Sequence, residues 1–505
     1  MGIDIGGTNT DIVLVDENKK ICGCLKEPTT FPQDVGVVNA VTKLMQKEEI
    51  SPSQVASVCI GTTHATNAIL EGKDLLAVGL IRIAGHRPVI QPGASWPKIL
   101  RQKVIKSFET ISGGYECHGD PITPFDEKEA KDAIYKLLER GVSALAIVGV
   151  FSPMNREQEE IVLKLVQEIA GKDFPVTISA DIGGIGFLER ENATILNSSL
   201  KLVIGAGFST LQASFQKMGI VAPIQMIHND GSMMDLKRAT DFPIFTISAG
   251  QTNSFRGASF LAGEDNAIVV DVGGTSSDIG LVEQGYPKRS CHVASIGGVK
   301  LHFALPDVIS LAYGGGTIVN GTTVGPESVA KNLFRQAQAF GGDVLTLTDL
   351  GLLLGYLQIP NADLTKVKAD IAFAEKTLKQ VLEEIEHSVR VMRGADKKYP
   401  LLLVGGGAPL LSKSKEGKSV EYAAFANAYG AALSEVAATV DLVAKLDEKM
   451  GNKILEEIKA EAIQKAISDG AHKESTRVVN VEVIPFAYSK DNLARVIITA
   501  SGSKA

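Results

Sequence analysis

Two stretches of the chain carry carboxylates, hydroxyls and paired glycines at the same spacing. Residues 4–16 read DIGGTNTDIVLVD and residues 271–283 read DVGGTSSDIGLVE, sharing Asp, Gly, Gly, Thr, Asp, Ile, Leu and Val in the same order. Glycines let a backbone approach an anion closely. Exposed amides and Thr or Ser hydroxyls donate to it, and an aspartate just upstream holds a divalent cation against it. Phosphate binding is the chemistry this pattern suits. One copy alone would be explained by an ordinary hairpin with a glycine turn, whereas two copies in one chain imply two related halves.

Each copy has to be positioned by a strand, a tight turn and a second strand. Between the copies the pattern predicts a helix over 127–140, opened by Asp126 with Glu129 three residues on as a capping partner. A buried strand over 143–151, a helix over 155–170 and a strand over 174–180 follow. Beyond the second copy come a turn at Gly314, Gly315, Gly316 and Thr317, a helix over 328–339, a long helical stretch over 362–393 and a buried strand over 401–404. That strand runs into Gly405, Gly406 and Gly407. The tail reads as a polar helix over about 447–468 and strands over 477–486 and 494–500, parted by a turn at 489–492. Such alternation implies an α/β fold, a parallel or mixed sheet covered by helices.

Composition narrows the function classes. The chain has 505 residues, with 51 Lys+Arg against 58 Asp+Glu and a formal charge of −7, so no overall basic field would hold a nucleic-acid backbone. Its five cysteines, Cys22, Cys24, Cys59, Cys117 and Cys291, form no CxxC pair and read as free thiols in a reducing compartment, with Cys22 and Cys24 on or near a strand edge. Without a signal-type start or a long apolar run, a cytoplasmic chain that avoids membranes is expected. HExxH, Walker A, GxSxG and full GxGxxG patterns are absent from the sequence, which removes support for metalloprotease, P-loop, serine-hydrolase and dinucleotide readings.

Three glycine-rich turns, two in repeated halves and one after a late buried strand, resemble the phosphate and adenosine loops of the actin/Hsp70/sugar-kinase ATPase superfamily. In that comparison residues 401–411 (LLLVGGGAPLL) are similar to the adenosine segment and residues 422–433 (YAAFANAYGAAL) to a helix linking two lobes. Within the superfamily the chain resembles the hydantoinase/oxoprolinase A-type family. The carriers are GTTHATNAIL at 61–70, RENATILN at 190–197, DVGGTSSD at 271–278, YGGGT at 313–317, VGPES at 324–328 and TDLGLLLGYL at 348–357. Departures occur at His228-Asn229-Asp230-Gly231 and at residues 248–253 (SAGQTN), where relatives carry Ser-Asn-Gly-Gly and Ser-Gly-Pro-Ala-Gly-Gly; they bear on the substrate more than on the nucleotide.

The resemblance implies two actin-like (ribonuclease H-like) lobes around one cleft: an N-terminal domain over 1–175, a second over 176–440 that completes the first lobe and supplies the other, and a helix-and-strand tail over 441–505. It implies ATP and Mg²⁺ as cofactors and ATP-dependent opening of a cyclic amide, because phosphorylating a poorly electrophilic carbonyl turns its oxygen into a leaving group. Asp4 and Asp271 would hold Mg²⁺, mostly through water, with Asp271 orienting the attacking oxygen. Gly6, Gly7, Thr8, Asn9 and Thr10 would cradle phosphates from one lobe, Gly273, Gly274, Thr275 and Ser276 from the other, and Gly405, Gly406 and Gly407 would admit the adenosine. Asp11 and Asp278 are expected to tie down the hairpins. Thr62, Thr63, His64 and Asn67 are candidates for substrate or γ-phosphate contacts, or else a strand-to-helix turn with Asn67 capping inward. Arg190 and Asn197 would bind an anionic or amide substrate, or else fill the sheet-to-helix joint. His228 and His302 read as local hydrogen bonders. A hydantoinase B-type partner chain and an oligomer are expected. A small-molecule kinase and a non-catalytic ATP-driven switch are the alternatives.

Overall fold

A computed structural model describes residues 1–29, 33–85, 90–117, 119–290, 294–303, 305–394, 398–446, 451–486 and 492–504. Cys291, the start of the helix expected from 447 and most of the 489–492 turn lie outside the described residues.

The repeated sequence builds repeated topology. In the first copy β1 (Gly2–Ile5) pairs antiparallel with β2 (Asn9–Val15), β3 (Ile21–Pro28) lies beside β2, and β4 (Val58–Thr62) runs parallel to β1. In the second, β5 (Ala267–Val272) pairs antiparallel with β6 (Ser277–Glu283) and parallel with β7 (Leu401–Val404). The apolar runs of β4, β5 and β7 are almost wholly buried, as expected of strands covered on both faces. Each Val, Leu or Ile they bury contributes about 1.5–3 kcal/mol. Cys22 and Cys24 lie on β3, the edge strand of its sheet.

The first sheet grows to nine strands, ordered Arg477–Pro485, Leu493–Gly502, Val436–Lys445, Met233–Asp235, Ile224–Ile227, β4, β1, β2, β3. A linear division at 175 and 440 therefore cuts across the sheets: Val436–Lys445 spans the second boundary and the tail strands complete the first lobe. Residues 78–178 contain a separate four-stranded parallel sheet, Ile105–Ile111, Val78–Ile83, Ala144–Gly149 and Val176–Ile178.

Four helices frame the space between the lobes: α1 (His64–Glu71), α2 (Phe187–Lys217), α3 (Ala249–Ala262) and α4 (Ala426–Ala432). The α3–α4 crossing needs bare backbone, because a Cβ on Gly257 would collide with the Ala426 carbonyl and one on Gly430 with the Asn253 carbonyl. Tyr422 takes a left-handed φ of 58° and a 3₁₀ turn, Ala423–Phe425, precedes α4, so the linking helix is shorter than its sequence pattern.

Other expectations are corrected by side-chain chemistry. Asp126 caps Glu127–Glu139 by accepting from Lys128 N–H, but Glu129 accepts from Ser112 N–H at 2.9 Å instead of closing a capping box. The 328–339 helix is broken into Ala330–Asn332, Leu333–Gln336 and Gln338–Phe340, because Ala337 leaves the helical path to bridge Val344. In the 362–393 stretch two aspartate caps create two starts, Asp363 before Leu364–Lys366 and Asp370 before Ile371–Arg393. Among the described residues no helix is long and apolar enough to cross a membrane.

Candidate functional site

The two glycine turns face one another across a cleft of 2120 Å³. Asp4, Gly6, Gly7, Thr8 and Asn9 line it from one lobe, and Asp271, Gly273, Gly274, Thr275, Gly405, Gly406 and Gly407 from the other. The turns close alike: Gly6 N–H donates to the Asn9 carbonyl at 3.0 Å and Gly273 N–H to the Ser276 carbonyl at 2.9 Å. They also approach each other, since a Cβ on Gly274 would stand 2.7 Å from Thr8 Oγ1. Gly405 has a φ of +89° and presses against Asp271, where any side chain would collide with Oδ1. The 314–316 glycines brace the second turn from outside, Gly315 N–H donating to the Gly273 carbonyl at 2.9 Å and Gly316 N–H to the Gly274 carbonyl at 2.7 Å. Thr10 and Ser276 are not among the lining residues; Thr10 is buried with its hydroxyl against Thr29 Oγ1, and Ser276 acts through the carbonyl that closes its turn.

Strand register explains the electrostatics. Gly61, Asp4, Asp11 and Lys26 are successive partners across β4, β1, β2 and β3, and directly paired residues share a face. Lys26 Nζ donates to Asp11 Oδ2 at 2.5 Å. The second sheet repeats the row with Asp271, Asp278 and Ser310, whose hydroxyl donates to Asp278. Asp11 and Asp278 thus each have a partner on the neighbouring strand, while Asp4 and Asp271 face the cleft. Burial pushes the Asp4 carboxyl up to about 8, the charges of Asp11 and Asp271 adding to the effect and Lys26 opposing it. Burial likewise lifts Asp271 to about 6, the charge of Asp278 adding to the effect and that of Lys26 opposing it.

Asp4 Oδ1 has no hydrogen-bond partner. An orphaned oxygen on one of two mutually repelling buried carboxylates suits a hard divalent cation, which restores the ionised form. No group of three or more His, Cys, Asp or Glu side chains suited to a metal occurs among the described residues. The fit is to Mg²⁺, which keeps several waters and takes only one or two carboxylates.

The strand-to-helix turn after β4 supplies the adjoining wall. Thr63, His64 and Asn67 line the cleft, whereas Thr62 is buried and shares a hydrogen bond with His64 Nδ1. Asn67 Nδ2 donates back to Thr63 Oγ1 at 3.2 Å. Burial holds the His64 imidazole below its ordinary pKa, which favours the neutral ring.

Of the two roles open to Arg190 and Asn197, the structure fits the filling of the sheet-to-helix joint. Both are fully buried outside the cleft wall. Arg190 donates to the carbonyls of Gly149, Gly184 and Ile185 and to Ser179 Oγ, and Asn197 bonds Thr177 Oγ1, the Asp241 carbonyl and Ile244 N–H. No polar atom is left over for a substrate. The same motif places Glu191 against Arg82, with bonds of 2.5 and 2.7 Å, so it joins α2 to the inserted sheet. His228 pairs with Asp230 at 3.0 Å and stacks on Phe245. His302 is half-buried against Gly184, and loss of solvent around the ring, with the charge of Arg190, holds it down at about 4.

Four further residues bear on the site and escaped sequence reasoning: Lys26, Ser254, Asn253 and Asn427. Lys26, Ser254 and Asn427 line the cleft. Asn253 lies behind it, fully buried, with both side-chain polar atoms unpartnered and Nδ2 within 3.1 Å of the point a Gly61 Cβ would occupy. The signals available were the charge of Lys26 in an otherwise half-apolar strand and the membership of Asn253 and Asn427 in the 248–253 and 422–433 segments, neither of which singled out the residue.

Comparison with known proteins follows this geometry. The family model of the hydantoinase/oxoprolinase N-terminal region matches residues 1–170, and that of hydantoinase/oxoprolinase matches residues 190–397. The acetophenone carboxylase gamma subunit of Aromatoleum aromaticum is 29% identical over 76% of this chain and 58% of its own length. The caprolactamase subunit alpha of Pseudomonas jessenii is 27% identical over 71% of this chain and 54% of its own. The chain thus spans little more than half the length of these relatives. Among solved structures, the ATP-dependent caprolactamase from P. jessenii superposes with a TM-score of 0.75 at 22% identity, covering 99% of this chain and 86% of that one. Nucleotide-free acetone carboxylase gives 0.71 at 18% identity, covering 99% and 87%. Both have the two-lobed fold described above.

Proposed function

Because the chain belongs to the hydantoinase/oxoprolinase family, we propose that it is the ATP-binding subunit of an enzyme that opens a cyclic amide of hydantoin, 5-oxoproline or lactam type by phosphorylating the amide carbonyl. The observation that carries this reading is the meeting of two in-register aspartate–glycine turns, Asp4–Thr8 against Asp271–Gly274, in one cleft.

With the Gly6 and Gly273 amides spent on closing their turns, the amides of Gly7, Thr8, Gly274 and Thr275 cradle the phosphates, and the Gly405–Gly407 turn admits the adenosine. Bound Mg²⁺ would neutralise charge developing on the transferred phosphoryl group. Asp4 and Asp271 would hold it, and Asp271 orients the attacking oxygen. The substrate's carbonyl oxygen attacks the γ-phosphorus and the bond to the ADP oxygen breaks; water then adds to the carbonyl carbon, the ring C–N bond breaks with the nitrogen taking water's proton, and hydrolysis of the resulting acyl phosphate releases phosphate. Thr63, His64 and Asn67 border the carbonyl's position, with Thr62 fixing the His64 ring. Lys26 keeps the cleft floor from gathering uncompensated negative charge.

Relatives are named as acetophenone and acetone carboxylase subunits, and the acetone carboxylase structure is described as ATP-dependent, so carboxylation of a ketone is the second reading. Subunit names among the relatives support a partner chain of hydantoinase B type. The test is to incubate the full chain, alone and with a co-expressed partner, with Mg-ATP and a panel of hydantoins, lactams, 5-oxoproline, ketones with bicarbonate, and sugars. Ring opening tied to ADP release is the expected result. A stable phosphorylated sugar would turn the assignment to a kinase, and ATP turnover indifferent to every compound to a nucleotide switch.

A further inference from the structure

The cleft has more room than one nucleotide needs: 2120 Å³ against the roughly 300–1,000 Å³ of a single small-molecule site. Beyond Thr63 and His64 its wall turns apolar. Leu75, Leu76, Leu202 and Val203 line it on the first lobe, and Phe334 and Phe340 on the second. Leu76 N–H donates to the Ser199 carbonyl, which anchors its segment on α2, the helix that carries Leu202 and Val203. Lys331, on the segment that carries Phe334, and Glu71 of α1 line the same cleft. Leu202 is 66% exposed and Phe334 40% exposed. Phe334 meets Phe340 at a tilt, with ring centroids 5.0 Å apart and 59° between the planes. Large apolar side chains left open inside a cleft mark a ligand surface more than a core.

The charges around this arm offer nothing to an anion. No arginine occurs among the described residues lining the cleft. Lys26 is held by Asp11, and the two lysines of the arm, Lys73 and Lys331, stand against two carboxylates, Glu71 and Asp74. A substrate carboxylate would be desolvated here without a bidentate partner.

We infer that this apolar arm is the substrate pocket and that it selects uncharged amides with a hydrocarbon ring over carboxylate-bearing ones. The inference rests on the function proposed above and narrows its substrate class. The ring packs against Leu75, Leu202 and Phe334 while its carbonyl points back past His64 to the glycine turns.

The test is binding to the full chain by calorimetry and saturation-transfer NMR. 2-Pyrrolidinone and 5-oxoproline share a ring and differ by one carboxylate; the neutral compound should bind at least about tenfold tighter. Along pyrrolidinone, valerolactam and caprolactam, affinity should rise about three- to fourfold per methylene, the value for burying one such group. Phe334→Ala and Leu202→Lys, both at exposed positions, should flatten that series while thermal unfolding stays unchanged. Equal or tighter binding of 5-oxoproline, no dependence on ring size, or full retention of the series in both variants would overturn the inference. Mg-ADP binding on the same samples reports separately on the nucleotide site, so failure of that reading is distinguishable.

Discussion

Asp4 and Asp271 stand at equivalent places in two hairpins, yet their surroundings differ in one charge. The first row ends in Lys26 and the second in Ser310. Both carboxyls titrate higher in the folded chain than their ordinary 3.8, Asp4 at about 8 and Asp271 at about 6. In that range the native state keeps protons that the unfolded chain has released, so stability falls as pH rises. Cation-free protein should therefore lose thermal stability from about pH 4 to about pH 8, Asp4→Asn should flatten the slope, and Mg²⁺ should restore stability most at the alkaline end; calorimetry across that range checks all three. Asp271→Ala should lower phosphate release by about a hundredfold or more while circular dichroism stays native. Unchanged turnover would remove Asp271 from the site.

At the scale of elements, the lobes are held at working distance by the α3–α4 crossing, which depends on missing side chains. Gly257→Ala or Gly430→Ala drives a Cβ into a facing carbonyl that has no flexible end to move away. Each should lower stability by about 1–3 kcal/mol or more, read by thermal unfolding, and should weaken nucleotide binding because Ser254 and Asn427 shift with the helices. Gly7→Ala is the counterpart, with open space around its Cβ. It should leave the unfolding midpoint in place and act only on phosphate affinity. Element boundaries were less legible than element existence: the breaks at Ala337 and between Asp363 and Asp370 follow from a tertiary bridge and from paired caps inside an unbroken helical pattern.

For the whole molecule, the tail is part of the first lobe. Leu493–Gly502 pairs along all of Val436–Lys445, and Gly451–Ser468 covers them with Ile458, Ala462 and Ala466 against Val496, Ile498 and Ala500. A chain ending at Leu446 should expose that face and fail to fold as a soluble protein, a result that expression followed by gel filtration checks. What the sequence determined by itself was everything encoded locally: the duplicated hairpins, because Asp-Gly-Gly-Thr spacing sets a turn within a few residues, and the buried parallel strands, because their apolar runs are continuous. Tertiary structure alone decided which polar residues face the cleft. Arg190 and Asn197 could have been ligand groups or joint fillers, and their hydrogen bonds close inside the joint, whereas the charge of Lys26 acts on Asp4, and Asn253 Nδ2 borders the same Gly61 position as Asp4 Oδ1, only because strand register and a helix crossing bring together positions distant in the chain. Burial and register are properties of the assembled sheets, and no spacing within one segment encodes them.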